Sequence, residues 1–307
     1  MSGMMSERVR LAFTIGYIGR NYHGSQIQPD VTTVQGELIR VFRKLKWLDD
    51  DGGHNLVLSS RTDAGVNVRR NGGVVTLSRS LWDSLTEKKM VRAVDDRLPD
   101  SIAFLNVKEV EPDWNPRIAS HRVYRYRLEG VHGWRYPGEI FNEWLGLFVG
   151  TYDATNFARL EAGKNPIRKI FSCTPWIVND RVVGFEIIGE AFLWNQVRRT
   201  AMALYSLSNG TITKQQIIDA KNRPEQPVDF GVAPPDWLIL WDVIWPDIKH
   251  NDSANASYCF TAPPSDDYAE RTMIARWESG SRLEMESMLF HEWSIIGKLP
   301  YQPHNSQ

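Results

Sequence analysis

Cysteine is nearly missing from this chain of 307 residues, which has only Cys173 and Cys259. Two cysteines make neither a disulfide framework nor a cysteine-based metal cluster, and they are expected as free thiols of a reducing compartment. Long apolar runs are also lacking, so no segment reads as a membrane span. The polar stretch from Met1 to Arg10 has no apolar centre of the kind a secretion signal needs. The glycosylation-type triplets at Asn251 and Asn255 are therefore read as chance, and the protein as cytoplasmic. The formal net charge is −1, without the basic excess common in nucleic-acid partners. His23, His54, His121 and His132 are scattered, with no partner at ligand spacing. Asp49-Asp-Asp-Gly-Gly lacks the downstream Glu of a calcium loop. Neither a metal nor a cofactor is expected.

What is present is ordinary for a globular protein: 42% hydrophobic and 24% charged residues, enough chain for one large core or two modest ones. Its basic residues are clustered. They fall at Arg61, Arg69-Arg70, Arg122, Arg125 and Arg127, Lys164, Arg168 and Lys169, and Arg198-Arg199, whereas the chain beyond residue 250 is acidic on balance. Because the local field is what attracts phosphate, these clusters fit either a basic cleft or a set of solvated faces.

Alternation of Val9, Leu11, Phe13, Ile15 and Tyr17 predicts a half-buried strand over 8–18. Thr32 or Thr33 then caps a helix with Val34, Leu38, Val41, Phe42 and Leu45 on one face. Strands are expected at 55–60, 72–78, 102–110, 119–129, 170–178, 181–190 and 237–245. Helices are expected near 84–97, 153–163, 193–207 and 214–221, and the last 55 or so residues read as loop with one or two peripheral helices. Adjacent strand pairs with segregated helices argue for an α+β fold with a largely antiparallel sheet.

The stretch Ser60-Arg61-Thr62-Asp63-Ala64-Gly65-Val66 places a carboxylate directly after the apolar run Leu56-Val57-Leu58. A carboxylate at a strand end is held by the sheet and faces whatever docks there, which suits a nucleophile or general base. Taken alone, the segment fits at least as well an Asp that hydrogen-bonds its own turn.

Together with four other segments, this stretch resembles the TruA-type tRNA pseudouridine synthases, named for uridines 38–40 of tRNA. The segments are Tyr17-Ile-Gly-Arg-Asn-Tyr22-His-Gly24-Ser-Gln26-Ile-Gln28-Pro29, Arg61 to Val66, Arg122-Val-Tyr124-Arg125-Tyr126, Phe192-Leu-Trp-Asn195-Gln-Val-Arg198-Arg199 and Ala233-Pro-Pro-Asp-Trp237-Leu238. They occur in family order across residues 8–246. The resemblance implies a pseudouridine synthase catalytic fold: two mixed α/β subdomains on a largely antiparallel sheet, with the active-site cleft between them. Residues 1–110 would carry the Asp loop, 111–248 would complete the cleft, and 249–307 would form a peripheral extension.

By resemblance Asp63 is the nucleophile of a cofactor-free isomerisation that breaks the uracil glycosidic bond and rejoins the ring through carbon-5. Burial alone would push its pKa upward, and Arg198 would oppose that as a paired guanidinium. Losing either partner of such a pair costs about 3–5 kcal/mol. Tyr124 would stack on the base and help remove the carbon-5 proton, and Leu238 would close the apolar side of the pocket; on residue type alone both also fit an ordinary core. Arg61 would hold the position vacated by the flipped nucleotide, or a nearby phosphate. Tyr22, Gln26 and Asn195 lie in segments that contact substrate in the family. Arg69, Arg70, Lys164, Arg168 and Lys169 are candidates for backbone contacts, although each taken singly fits a solvated surface charge.

The chain departs from the family pattern at Gly24-Ser25-Gln26 (family Gly-Trp-Gln), at Asn67 (family His) and at Gly72-Gly73 (family Gly-Gln). The partner implied is the tRNA anticodon stem-loop, bound by a homodimer, with no membrane and no small-molecule cofactor. Alternatives are a synthase of this family acting on another tRNA position or RNA, a silent RNA-binding protein on the same scaffold, and a hydrolase in which Asp63 is structural.

Overall fold

The computed structural model describes residues 7–48, 55–248, 259–264 and 271–297. The Asp49–Gly53 turn, His54, and the triplets at Asn251 and Asn255 lie outside them. The described residues form two compact units. The first draws on Met1–Ala119, Val243–Ser257 and Glu286–Gln307, and the second on Ser120–Asp242 and Tyr258–Met285.

In the first unit, β1 (Arg8–Tyr17) pairs antiparallel with both β3 (Asn67–Ser78) and β4 (Ile102–Val110), and β2 (Leu56–Leu58) pairs antiparallel with β3. Helix α1 (Val34–Lys44) buries Val34, Leu38, Ile39, Val41 and Phe42, the face set by its spacing. The Thr33 hydroxyl accepts from the Gly36 amide and caps it, a contact worth about 1 kcal/mol. Phe42 meets Phe104 edge-on, and Phe104 stacks on Phe13. Phe13 lies opposite Gly73, where an added Cβ would come within 2.4 Å of its ring.

From Leu11 onward β1 is buried at every position, not every second one. Its other face is covered as well: Trp114 and Trp245 line a small cavity with Ala12 and Thr14, and Trp293 fills the space a Gly16 side chain would need. Short helices α2 (Arg79–Asp83) and α3 (Glu87–Asp95) replace the single helix expected near 84–97, each capped by its own hydroxyl, Ser78 or Thr86.

The polar start of β3 is also strand. Arg69 and Arg70 are 5% and 1% exposed. Arg69 Nε donates to Glu292 Oε2 at 2.5 Å, and the Arg69 carbonyl accepts from Trp293 Nε1 at 3.0 Å. Asn71 binds the backbone of Ser60 through both ends of its amide. Both cations, expected at the surface, are therefore core residues, and the charge of Arg69 is answered inside the unit by Glu292.

The second unit has the antiparallel strand order β5 (His121–Tyr126), β8 (Arg181–Gly189), β7 (Ile167–Val178), β6 (Gly150–Asp153), with β9 (Leu238–Ile244) on the other side of β5. Helix α4 (Ile140–Gly146), which the periodicity did not suggest, buries Phe141 and Leu145, with Phe141 edge-on to the rings of Trp134 and Tyr136. The helix expected at 153–163 is instead the end of β6, a single 3-10 turn at Thr155–Phe157 and a bridge between Arg159 and Trp194. Local side chains compete with the helix there: Asp153 Oδ1 accepts from the Thr155 amide at 2.8 Å, and Asn156 binds the backbone of Ala220, Gln226 and Val228. Helix α5 (Gln196–Ser208) starts later than expected because Asn195 is left-handed, with φ 61°. Helix α6 (Lys214–Asn222) follows a capping box of Thr213 and Gln216.

The C-terminal residues, expected to be peripheral, form one long helix, α7 (Arg271–Ile296). Met288, Leu289 and Trp293 are buried in the first unit, and Met285 in the second. Among the described residues no helix is long and apolar enough to cross a membrane.

Two predictions follow from the burial. Glu292→Ala removes a buried counter-charge from Arg69 and is expected to cost about 3–5 kcal/mol in denaturant melts; a loss under 1 kcal/mol would contradict the pairing. The thiol of Cys173 is buried and pushed far up by desolvation, whereas Cys259 is exposed. Native protein should therefore take up one equivalent of a thiol reagent and denatured protein two.

Candidate active site

Asp63 sits in the turn after β2, half-exposed, between exposed Arg61 and exposed Ala64. Its carbonyl accepts from the Val66 amide at 3.2 Å, and Gly65 supplies the positive φ of 84° that closes the turn. The residue before it, Thr62, is held three ways. Its hydroxyl meets the Tyr17 hydroxyl at 2.8 Å, its amide donates to Ser25 Oγ at 2.9 Å, and its carbonyl accepts from the Ser25 amide at 3.2 Å. Ser25 is fully buried, and Gly24 beside it has φ 98° and lies against the Thr62 carbonyl. Serine at the position where the family has tryptophan is thus a brace for the Asp63 turn. Burial pushes the Tyr17 hydroxyl up to about 12, so it remains protonated while it bonds Thr62.

The other first-unit candidates separate into two groups. Gln26 is half-exposed and follows the residue that braces Thr62. Tyr22 is buried, with its hydroxyl 2.7 Å from Ser101 Oγ. Arg69 and Arg70 belong to the core and are not surface cations.

In the second unit three of the motif segments meet. Arg198, in the first turn of α5, donates from Nε to the Ala233 carbonyl at 2.7 Å and from Nη1 to Asn195 Oδ1 at 3.1 Å. The Ala233 amide returns a bond to the Arg198 carbonyl at 3.2 Å. Tyr126 donates its hydroxyl to the Pro234 carbonyl at 2.9 Å, and the Arg127 amide donates to the Trp237 carbonyl at 3.0 Å. Burial raises the Tyr126 pKa, partly offset by the nearby Arg198 charge. Tyr124 is 8% exposed, with Phe192 edge-on at 5.1 Å. Leu238 is buried at the start of β9.

Asn195 therefore orients Arg198 through its side-chain oxygen. Arg168, at the start of β7, donates to the carbonyls of Asn165 and Ile167 beside it, while Lys164 and Lys169 are exposed. The bracing residues Tyr17, Ser25, Thr62 and Ala233 all lie in the quoted segments, but their bracing role is not legible there, because their bonds join segments far apart in the chain. The one available signal was Ser25 itself, a small polar residue at a tryptophan position. Among the described residues no group of three or more His, Cys, Asp or Glu is placed to hold a metal ion.

A family model described as tRNA pseudouridine synthase matches residues 145–246, a span that does not reach Asp63. Whole-chain relatives extend further. The tRNA pseudouridine synthase A of Pyrococcus furiosus is 34% identical over 246 residues, covering 78% of this chain and 85% of the relative. That of Methanocorpusculum labreanum is 32% identical over 241 residues, covering 77% and 80%. That of Archaeoglobus fulgidus is 31% identical over 291 residues, covering 94% and 97%. The chain belongs to the tRNA pseudouridine synthase family and is accordingly an isomerase.

Tyr17→Phe removes one brace from Thr62, a bond worth about 1 kcal/mol. We expect turnover to fall about fivefold with the fold intact, as read by initial rates and melting curves. Wild-type turnover in this variant would show that the brace does not set the Asp63 turn.

Proposed function

We propose that the protein is a cytoplasmic tRNA pseudouridine synthase, acting as a homodimer on the anticodon stem-loop at uridines 38–40. The observation that carries this reading is the Asp63 turn, a half-exposed carboxylate on backbone pinned from Tyr17 and Ser25. A nucleophile gains from such pre-organisation, because its geometry need not be found at the moment of reaction.

In this proposal Asp63 attacks either the ribose anomeric carbon or the uracil ring. The bond between ring nitrogen-1 and the ribose breaks, the ring turns, and carbon-5 bonds to the ribose. The carbon-5 proton departs and nitrogen-1 gains one, so substrate and product have the same composition and no redox partner is required. Arg198 supplies a positive charge to pair with the nucleophile, and the fixed direction of its guanidinium is supported by its bonds to Ala233 and Asn195. Tyr124 stacks on the uracil and takes the carbon-5 proton, while Leu238 forms the apolar wall. Flipping the nucleotide out of the stem costs a few kcal/mol, which stacking and phosphate contacts offset. Of the cations named as candidates for such contacts, Arg61, Lys164 and Lys169 are exposed.

Incubating wild type and Asp63→Asn with unmodified tRNA transcript, followed by site-resolved pseudouridine mapping, tests the proposal. Product at anticodon-stem uridines is expected from wild type alone, with tRNA affinity of the variant within about twofold of wild type, since a carboxylate adds nothing to phosphate binding. Product from Asp63→Asn would sink the nucleophile assignment, and product elsewhere in the tRNA would sink the positional one. Affinity should also fall as salt rises, because phosphate contacts release counterions. A flat response would remove the basic surface from the proposal.

A further inference from the structure

Trp237 immediately precedes Leu238, is 1% exposed, and is gripped from several directions within the second unit. Its ring stacks on Trp277 at 6.3 Å between centroids and 23° between planes. The Arg282 guanidinium lies 5.0 Å from the ring centroid, in cation–π range. Its carbonyl accepts from the Arg127 amide at 3.0 Å. Gly130 leaves room for the ring, since an added Cβ there would lie 2.0 Å from it. The Trp277 indole is itself fixed, donating to the Thr261 carbonyl at 3.1 Å.

Arg127 ties the same segment to the strand end. Its guanidinium, wholly buried, donates to Glu129 Oε2, Ser281 O and Glu284 Oε2 at 3.2 Å each, and to Thr261 O at 3.1 Å. Phe260 lies across it at 4.2 Å. Every one of these partners except Glu129 comes from residues 260–284, beyond the span that the family model matches.

We propose that this C-terminal segment is a positioning element for the isomerisation, in which Trp277 and Arg282 fix Trp237 and thereby the apolar wall at Leu238. The proposal rests on the role given to Leu238 above. A substrate wall displaced by even 1 Å loses much of the orientation that a bound reactant needs. Trp277 and Arg282 touch no reacting atom; they act through Trp237.

The test uses the full chain with Trp277→Leu, Trp277→Phe and Arg282→Met, comparing steady-state kinetics on tRNA with hydrogen exchange of two amides. Arg127 N donates to the Trp237 carbonyl and Leu238 N to the Pro235 carbonyl, so both amides report directly on the clamp. For Trp277→Leu we expect kcat to fall about tenfold at unchanged KM, the signature of lost transition-state positioning. The two amides should exchange about tenfold faster or more, and Trp277→Phe, which keeps a stacking ring, should recover most of both effects. A folded Trp277→Leu with wild-type kcat and wild-type exchange overturns the proposal. So does a changed KM at unchanged kcat, which would assign the segment to RNA binding instead. Should Trp277→Leu not fold, Arg282→Met decides: about threefold lower kcat with faster exchange supports the clamp, and wild-type values overturn it. If wild type forms no pseudouridine in tRNA, the functional reading fails, while amide exchange still shows whether the clamp exists.

Discussion

An arginine keeps its charge at any pH a folded protein meets, so burying one obliges the fold to bury partners with it. Each unit of this protein is organised around such a residue. In the first, Arg69 is enclosed on β3 and meets Glu292; in the second, Arg127 is enclosed just beyond β5 and meets Glu129 and Glu284. Glu292 and Glu284 both lie on α7. Desolvation pulls the Arg127 pKa down and the Glu129 pKa up, and the mutual attraction of the charges offsets part of both penalties. Without α7 the buried guanidinium of Arg69 would lose Glu292, and that of Arg127 would lose Glu284 while keeping Glu129. The C-terminal helix is thus part of the charge balance inside each unit.

The same constraint explains what sequence could and could not disclose. Elements whose stability comes from apolar periodicity were legible: β1, α1, α6 and β9 fall within a residue or two of expectation. The polar start of β3 was not, since Asn67-Val-Arg-Arg-Asn shows charge but not where its partners come from, and those of Arg69 lie more than two hundred residues away. The stretch after Asp153 reads as helix by composition, yet Asp153, Thr155 and Asn156 spend their side chains on nearby backbone. As for the site, the five segments were recognisable by residue type, and the structure brings three of them into direct contact in the second unit. What stayed hidden was support: a serine in place of a tryptophan gives no hint that it braces Thr62.

The candidate residues share a placement that follows from what they must do. Asp63, Arg198 and Leu238 stand at the margins of regular elements, where a side chain escapes the alternation of a strand. Such positions lack the ladder that makes strands rigid, and rigidity has to be supplied bond by bond. Backbone in uncommon conformations gathers there: Gly24 and Gly65 at positive φ around the Asp63 turn, and Asn195 at positive φ before Arg198. Left-handed backbone at a non-glycine residue persists only where the surroundings over-determine it, and Asn195 is fixed by the very guanidinium it orients.

The braces themselves have a chemical logic. Tyr17 beside Thr62 and Tyr126 beneath Pro234 are phenols whose burial raises their pKa, Tyr17 to about 12 and Tyr126 further still. Both therefore stay protonated and neutral over the whole range in which carboxylates and histidines titrate. A carboxylate or imidazole in either place would loosen its turn whenever it changed charge. By relying on groups that do not titrate in that range, the fold keeps the geometry of both turns independent of pH.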